Sequence, residues 1–391
     1  MFQTELGARA QAYVDGHMDE LIALIEALCR IPAPSHQEDQ RAEFIQKWLK
    51  EAGAKGVYID EAKNVIYPVD EAGKDALSIF MAHTDTVFPD LTPFEPRTEN
   101  GRMYCPGVGD DTANVAVLMM IARYAAQNGL KSPSGLVIAF NSCEEGLGNL
   151  KGCRALMERF QGRVGKVVSF DSGYDCVIAR AVGSARYRVE VRTEGGHSFA
   201  NFGNRNAIRY LSLLIGMLYA IKPPEKPGAH TTYNVGMIQG GTSVNTIAQQ
   251  AEMLYEYRSD DMESMAAMER AFTAAVQAVR AMGVEVAVEK IGERPCMGHP
   301  DPAAQQALVQ ECQDIIQRHS GLRPGLGAGS TDCNIPLSLD IPAACFGVYR
   351  GQGAHTREEW IELSSLEAGF KSALRMVLNQ VEGEQAEFSN S

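Results

Sequence analysis

Histidine and carboxylate residues stand directly after four short apolar runs of this sequence. They are His83 with Asp85, Glu144 with Glu145, Asp171, and, beyond a glycine-rich stretch, His355. A further pair, Asp110 and Asp111, opens a helical pattern between the first two runs. Carboxylates crowded together without a cation repel one another, and mixed imidazole and carboxylate ligation suits zinc. The residue types therefore predict a site for divalent metal ions if the fold brings these segments together.

Two bound ions would give this set of residues a hydrolytic chemistry. Ions about 3.5 to 4 Å apart can share a carboxylate and a water molecule, which lowers the pKa of the water and polarises a substrate carbonyl. A carboxylate that is not bound to metal is then needed to accept the proton. The sequence contains enough groups for each of these roles. We expect two divalent ions, zinc first, with manganese or cobalt as alternatives.

The elements that must position these residues are typical of an α/β protein. Amphipathic helices are predicted in 5–53, interrupted by a turn at 31–38. Buried strands of a mostly parallel sheet are predicted at four apolar runs, 77–82, 136–140, 167–170 and 343–348. Ligand sites form at the carboxyl ends of such strands because loops converge there while the sheet stays rigid. The separated histidines and carboxylates are therefore predicted to meet in one crevice.

The middle of the chain has a different pattern. Apolar and charged residues alternate near 185–192, which indicates a half-exposed strand. The elements predicted after it are a helix at 206–220, strands at 231–238 and 247–257, a helix at 262–281 and a strand at 283–290. This β-α-β-β-α-β order is that of a ferredoxin-like unit. We predict that it is inserted, as a domain covering 183–292, into a catalytic domain formed by 1–182 and 293–391.

Composition excludes several classes of function. The chain has 391 residues and a net charge of -13, with 36 basic against 49 acidic residues, so binding to nucleic acid is not expected. Its nine cysteines show no C-x-x-C pairing, which indicates a reducing compartment. No apolar run is long enough for a membrane span, and the first residues do not have the pattern of a signal peptide. A cytoplasmic location with no membrane association is the expectation.

Eight short motifs, in order along the chain, resemble those of the M20 family of metallopeptidases, which includes peptidase T, carboxypeptidase G2 and the succinyl-diaminopimelate desuccinylases. They are Ser35-x-x-Glu38, His83-x-Asp85, Gly109-Asp110-Asp111, Glu144-Glu145, Ser169-Phe-Asp171, Gly195-Gly-His197-Ser198, Gly240-Gly-Thr-Ser-Val-Asn245 and Gly353-Ala-His355. One such motif alone is weak, whereas eight in the right order across nearly the whole length are specific.

The resemblance implies roles for the residues of the predicted crevice. His83 and Asp171 would bind one metal ion, and Glu145 and His355 would bind the other, while Asp110 bridges both ions. Asp85 would orient His83. Glu144 would act as the general base that moves a proton from water to the leaving nitrogen. The resemblance also implies a cis peptide bond between Asp110 and Asp111.

The inserted domain also resembles its counterpart in the family, a lid that often forms a homodimer. His197 would stabilise the tetrahedral oxyanion, in many dimers from the partner subunit. Asn245 would contact the substrate, and Arg258 would clamp a substrate carboxylate with its planar guanidinium.

Two departures from the family pattern bear on the substrate. Asp111 is followed by Thr112-Ala113-Asn114 where many relatives have another sequence, and position 171 is Asp rather than Glu. In the family, Asp at that position is more usual in di- and tripeptidases, so a short peptide is the expected substrate. The alternative is an N-acyl amino acid deacylase or a carboxypeptidase with the same metals, and a third hypothesis is a binding protein without catalysis. Taken singly, Asp110 could also be a helix cap and Arg258 a surface residue.

Overall fold

The computed structural model describes residues 2–381, so residues 382–391 of the predicted catalytic domain lie outside the described residues. Contacts divide the chain into two compact units. One contains the described residues up to Arg180 and from His299 onward, and the other is Ala181–Gly298. The positions predicted as limits of the inserted domain, 183 and 292, fall inside the second unit.

The first unit is built on an eight-stranded sheet. Its four central strands are parallel. Two of them contain the predicted runs 77–82 and 136–140, and the other two overlap the runs 167–170 and 343–348, which extend past the strand ends at Ser169 and Cys345. The predicted α/β class with a mostly parallel sheet is confirmed. In order across the sheet the central strands are Leu136–Asn141, Leu77–His83, Val164–Ser169 and Ala343–Cys345. Outside them lie Val65–Asp70 and Tyr58–Ile59 on one side, and Cys176–Ala181 and Gly325–Gly329 on the other.

Buried aromatic rings support the central strands close to their carboxyl ends. Phe80, Phe140, Phe170 and Phe346 have no exposed surface. The ring of Phe170 stacks on Phe80 at 6.1 Å and meets Phe346 edge-on at 5.2 Å, measured between ring centroids. Burying each ring stabilises the fold by about 1.5–3 kcal/mol relative to leaving it exposed. The loops that follow these strands therefore start from fixed positions.

Helices and a small second sheet complete the first unit. The α-helices are Ala8–Gly16, Met18–Cys29, Asp39–Glu51, Asn114–Asn128, Lys151–Arg159, Pro302–Ser320, Asn334–Ser338 and Leu366–Leu378. The region predicted as one helix before residue 31 contains two, because the backbone leaves the helical conformation at His17. The small sheet has the order Gly351–Gln352, Trp360–Glu362, Arg102–Tyr104 and Arg97–Glu99, and every pairing in it is antiparallel.

The second unit has the β-α-β-β-α-β order expected from the sequence. Its antiparallel sheet has the order Thr231–Gly240, Gln250–Ser259, Gly183–Arg192 and Glu285–Arg294, and its helices are Ala207–Tyr219 and Met262–Arg280. Tyr187 and Val189 are buried whereas Arg188 between them is exposed, as the alternation predicts. Among the residues that the structure describes, no helix is both long enough and apolar enough to cross a membrane.

Candidate metal centre

The predicted histidine and carboxylate residues of the first unit lie at the carboxyl ends of its parallel strands. His83 is the last residue of its strand and is in register with Asn141, which ends the neighbouring strand. Glu144 and Glu145 follow Asn141 closely, and Asp171 follows the strand on the other side. His355 comes from the loop between two short strands of the small sheet, Gly351–Gln352 and Trp360–Glu362. The structure thus brings these remote segments together.

Asp110 lies between two histidines. Its Oδ1 atom is 3.0 Å from Nε2 of His83, and its Oδ2 atom is 3.0 Å from Nε2 of His355. The same Nε2 atom of His355 lies 3.2 Å from Oε1 of Glu145. One carboxylate therefore presents a separate oxygen to each imidazole, which is the arrangement that a bridging ligand between two ions requires.

Two sets of three potential ligand atoms are close enough to hold a cation. One consists of His83, Asp110 and Glu145, and the other of His83, Asp111 and Asp171, with all atoms of a set within 4.8 Å of one another. Asp111 belongs to the second set, although it was not predicted as a ligand. Both of its carboxylate oxygens already accept hydrogen bonds from protein groups, namely the backbone N–H of His83 at 2.9 Å and the side-chain amide of Asn114 at 2.6 Å.

The peptide bond between Asp110 and Asp111 is cis, as the family resemblance implied. It lies in the segment Val108–Ala113, directly before the helix Asn114–Asn128. The carboxylate of Asp110 faces the two histidines, while that of Asp111 holds the end of the strand that carries His83. The adjacent aspartates thus make different contacts with the same crevice.

Asp85 connects His83 to the segment that carries the two glutamates. Its Oδ1 and Oδ2 atoms accept the backbone N–H groups of Glu144 and Glu145 at 2.9 and 3.0 Å. Its Oδ1 atom also lies 3.4 Å from Nδ1 of His83, and the hydroxyl of Ser35 donates to its Oδ2 atom at 2.6 Å. Although burial alone would raise it, the hydrogen bonds of His83 and Ser35 keep the pKa of Asp85 below its ordinary value.

Glu38, the other residue named in the first motif, binds the backbone of the segment that carries Glu144 and Glu145. Its Oε1 atom accepts the backbone N–H of Cys143 at 3.2 Å and the backbone N–H of His36 at 2.8 Å. Glu38 is fully buried. Within this motif, Glu38 therefore holds the backbone just before Glu144 directly, whereas Ser35 acts on Glu144 and Glu145 through the carboxylate of Asp85. This role of Glu38 was not predicted from the sequence, because the groups that it positions are main-chain N–H groups.

The pKa values at the site indicate that it needs positive charge. Hydrogen bonds to Asp110 and Glu145 raise the pKa of His355 to about 10. Burial, together with the nearby charge of Asp110, raises the pKa of Asp171 to about 6. Burial also raises the pKa of Glu145. The carboxylates thus carry more negative charge than their surroundings neutralise unless the imidazoles take up protons, and divalent cations are the groups that relieve such crowding.

The donor atoms at the site fit divalent metal ions. The Oε1 atom of Glu145 is buried and makes no well-formed hydrogen bond, although His355 lies near it. A buried carboxylate oxygen of this kind costs free energy unless a cation or a donor satisfies it. Nitrogen from two imidazoles with oxygen from several carboxylates is a common ligand set for zinc, and it also accepts manganese and cobalt. The residues present therefore fit a pair of divalent ions.

The second unit contains the other predicted residues, His197, Asn245 and Arg258. His197 is exposed, and its Nδ1 atom accepts the backbone N–H groups of Phe199 and Ala200 at 3.3 and 3.2 Å. Since Nδ1 is an acceptor, the ring proton belongs on Nε2, which leaves an N–H donor directed away from these contacts. The loop of Asn245 is adjacent, because the carbonyl of Asn245 accepts the backbone N–H of Ser198 at 2.9 Å.

Arg258 is engaged with a neighbour on its own strand. Its Nε and one terminal nitrogen each donate to a different carboxylate oxygen of Glu256 at 3.1 Å, and Arg186 lies 3.4 Å from the same carboxylate. A substrate carboxylate at Arg258 would therefore compete with Glu256. Residues two apart on a strand share a face, so this pairing was open to prediction from the sequence.

Cavities of different size occur in the two units. One of about 260 Å³ in the first unit adjoins Asp110 and is lined by Cys176, Ile178, Tyr349 and Trp360 among others. Larger ones, of about 600 and 390 Å³, lie in the second unit along 223–231 and around 239–252. Neither of these two contains a residue of the metal centre, whereas the smaller cavity adjoins Asp110.

Comparisons with known proteins show which family and which folds the chain resembles. Residues 79–379 match the sequence profile of peptidase family M20/M25/M40. The chain is 26% identical over 345 residues to a succinyl-diaminopimelate desuccinylase of Corynebacterium glutamicum, which covers 86% of this chain and 90% of the relative. The structure of a tripeptidase from Staphylococcus aureus is similar with a TM-score of 0.74 at 19% identity, over 92% of this chain and 97% of that one. A dinuclear metal-binding peptidase of the M20 family from Bacillus subtilis gives a TM-score of 0.63 at 15% identity, over 93% and 98% of the two chains.

Proposed function

Since the chain belongs to peptidase family M20/M25/M40 and is a hydrolase of that family, we propose that it cleaves the amide bond of a di- or tripeptide at a centre of two divalent ions. The observation that carries this proposal is the position of Asp110, with one carboxylate oxygen 3.0 Å from His83 and the other 3.0 Å from His355. In this proposal His83 and Asp171 would hold one ion, Glu145 and His355 would hold the other, and Asp110 would be a ligand of both. Zinc is the proposed metal, with manganese or cobalt as substitutes.

The bound ions would polarise the scissile carbonyl and lower the pKa of a water molecule. Glu144 would accept a proton from water and deliver it to the leaving nitrogen. Its position is set by Asp85, which holds the backbone N–H groups of Glu144 and Glu145 and so keeps base and ligand in fixed relation. Asp85 also orients His83 through its Nδ1 atom.

His197, Asn245 and Arg258 complete the proposal from the second unit. The Nε2 proton of His197 is available as a donor to the oxyanion, because Nδ1 is occupied by two backbone N–H groups. Asn245 contacts the substrate, and Arg258 binds a substrate carboxylate in exchange for Glu256.

The size of the substrate is inferred from the cavity beside Asp110. Its volume of about 260 Å³ is smaller than the 300 to 1,000 Å³, roughly, of sites for drug-sized ligands. Such a cavity accommodates one amino-acid side chain or a short acyl group. Asp171, in place of Glu, favours the peptide, in line with the family pattern described for the sequence.

A second candidate function is the hydrolysis of an N-acyl amino acid or of a carboxy-terminal peptide bond. It is favoured by the name of the Corynebacterium glutamicum relative, a desuccinylase. Arg258 would serve in either reaction, because short peptides and acyl amino acids both carry a free carboxylate. What differs is the amino end of the substrate, which is free in the first class and acylated in the second.

The same proposal includes a homodimer formed through the second unit. The strand Thr231–Gly240 lies at the edge of its sheet, and such an edge offers unpaired backbone groups to a second copy. Met237 and Ile238 on that strand and Tyr219 on the neighbouring helix are exposed apolar residues.

We also propose a cytoplasmic location for the protein, because all nine cysteines have free thiols.

A substrate panel tests the proposed function. The purified protein is freed of metal, reconstituted with zinc, manganese or cobalt, and assayed on di- and tripeptides with free amino ends and on matched N-acetyl and N-succinyl amino acids. We expect cleavage of the peptides. Turnover of the acylated compounds alone would favour the second candidate, and turnover of neither class would contradict both. A Glu144→Gln preparation, treated in the same way, controls for contaminating peptidases.

A further inference from the structure

Glu359 lies beside the metal centre without being one of its predicted ligands. It is buried, and its carboxylate accepts backbone N–H groups from one short segment. The Oε1 atom accepts those of Gly109 and Asp110, each at 2.8 Å, and the Oε2 atom accepts that of Gly107 at 2.6 Å. The segment that carries Asp110 is thus wrapped around the carboxylate of a residue distant in the sequence.

Two glycines of the wrapped segment have no room for a side chain. Gly107 has a φ of +73°, and a Cβ added there would lie 2.8 Å from Cγ2 of Thr86. A Cβ added at Gly109 would lie 2.5 Å from the ring of Tyr349. These contacts require glycine at both positions, and in return the backbone comes close enough to Glu359 for short hydrogen bonds.

Glu359 also stands at the base of the loop that presents His355. Gln352 pairs with Trp360 across the two short strands, so that Glu359 is the last loop residue before the returning strand. The carbonyl of Glu359 accepts the backbone N–H of Cys105 at 3.1 Å, which ties the base of this loop to the chain just before Gly107. His355 itself has a φ of 65° and is exposed, and its Nε2 atom contacts the carboxylates of Asp110 and Glu145.

From these contacts we infer that Glu359 is a positioning residue that keeps the bridging carboxylate of Asp110 and the imidazole of His355 at the separation that two metal ions need. The inference rests on the proposed metal centre and extends it. Glu359 holds the segment of Asp110 through hydrogen bonds to its backbone. It is connected to His355 because both residues belong to the same loop. Removing one acceptor oxygen would let the two ligands drift apart while each remains present.

Metal binding by a Glu359→Gln variant tests this inference. Glutamine keeps the shape of the side chain but replaces one acceptor oxygen by an NH2 group, which cannot accept a backbone N–H. Metal-free wild type and variant are titrated with Zn²⁺ by calorimetry and, independently, in competition with a chelating dye. We expect two equivalents to bind the wild type, and the second to bind the variant about 10-fold to 100-fold more weakly, as for other residues that support metal ligands.

Glu358→Gln is the matched control, because Glu358 is the exposed neighbour in the sequence, and its isotherm should equal that of wild type. The melting temperature of each metal-free protein separates positioning from general stability, since a purely structural role would lower it without changing the zinc isotherm. If Glu359→Gln does not fold, Glu359→Asp, which keeps both oxygens but withdraws them, takes its place with the same expectation. Wild-type zinc affinity in the folded variant would overturn the inference. Zinc binding without hydrolysis of any substrate would contradict the proposed function. The comparison of zinc isotherms between Glu359→Gln and wild type would still decide the role of Glu359.

Discussion

The Nε2 atom of His355 lies 3.0 Å from Oδ2 of Asp110, although the two residues belong to opposite parts of the chain. The other oxygen of the same carboxylate is equally close to His83. The carboxylate of Asp110 therefore contacts both histidines that are proposed as metal ligands. The proposed roles of the other metal ligands depend on this contact.

Replacing Asp110 by Asn should remove metal from both positions, because an amide presents only one oxygen and less negative charge to the two ions. We expect the metal content after desalting, measured by mass spectrometry, to fall from two equivalents to less than one. Asp75→Asn, an exposed aspartate of the same unit, is the control. A variant that keeps two equivalents would show that Asp110 does not bridge.

Glu144→Gln should separate catalysis from metal binding. Its side chain is proposed to move a proton and not to hold an ion, so the metal content should remain that of wild type. The value of kcat should fall by about 10²- to 10⁴-fold, the usual contribution of general acid–base catalysis. Glu61→Gln, at an exposed position, should leave kcat unchanged. Near-normal turnover of the Glu144 variant would assign the base to another residue.

The sequence predicted the parts of the fold that are buried most completely. The strands Leu77–His83, Leu136–Asn141 and Ala343–Cys345 are buried along their whole length, and the second half of Val164–Ser169 is buried as well, so each appears as a mostly apolar run. The motifs that carry His83, Glu145 and Asp171 could be located for the same reason. Side-chain patterns of this kind record which residues are buried, but they do not fix the strand ends, since the runs 167–170 and 343–348 extend beyond Ser169 and Cys345.

Contacts made to the backbone were not open to prediction in this way. Glu359 binds three N–H groups of a remote segment, and a main-chain partner leaves no residue type in the sequence to search for. The break at His17 was missed because apolar periodicity continues through it, while its Nδ1 atom contacts the carbonyl of Tyr13 at 2.7 Å. The dual use of the two adjacent aspartates depends on a cis bond, which the family resemblance implied and the residues alone did not.

His197→Ala should lower kcat by about 10²- to 10³-fold, the cost of removing one donor to the oxyanion. The test for action across a dimer is a mixture of His197→Ala with Glu144→Gln, refolded together. If His197 serves the partner's site, the mixture should reach about a quarter of wild-type activity, since half of randomly paired dimers are mixed and each of these has one intact site. Each variant alone is the control. A mixture no more active than its components would place His197 in its own subunit's site.

Glu256→Gln tests whether Arg258 binds a substrate carboxylate. The guanidinium donates two hydrogen bonds to Glu256, so a substrate must displace this neighbour before it can bind. Removing the negative charge should lower KM by about two- to five-fold, because partly exposed ion pairs are worth up to about 1 kcal/mol. Glu252→Gln, on the same strand, is the matched control, and Arg258→Ala should raise KM. An unchanged KM in both Glu256→Gln and Arg258→Ala would exclude Arg258 from substrate binding.

His319, far from the metal ligands in the sequence, should make stability depend on pH. Burial, with the charges of Lys371 and Arg318, lowers its pKa to about 4, against about 6.5 in an unfolded chain. Between these values the unfolded chain binds a proton that the folded protein excludes, so the free energy of unfolding falls as the pH decreases from about 6.5 to 4. We expect the melting temperature of His319→Gln to fall less than that of wild type as the pH decreases over this interval. Both proteins are measured in the presence of a chelator, which removes metal. His299→Gln, at an exposed position, should follow wild type. Parallel curves for His319→Gln and wild type would contradict the lowered pKa.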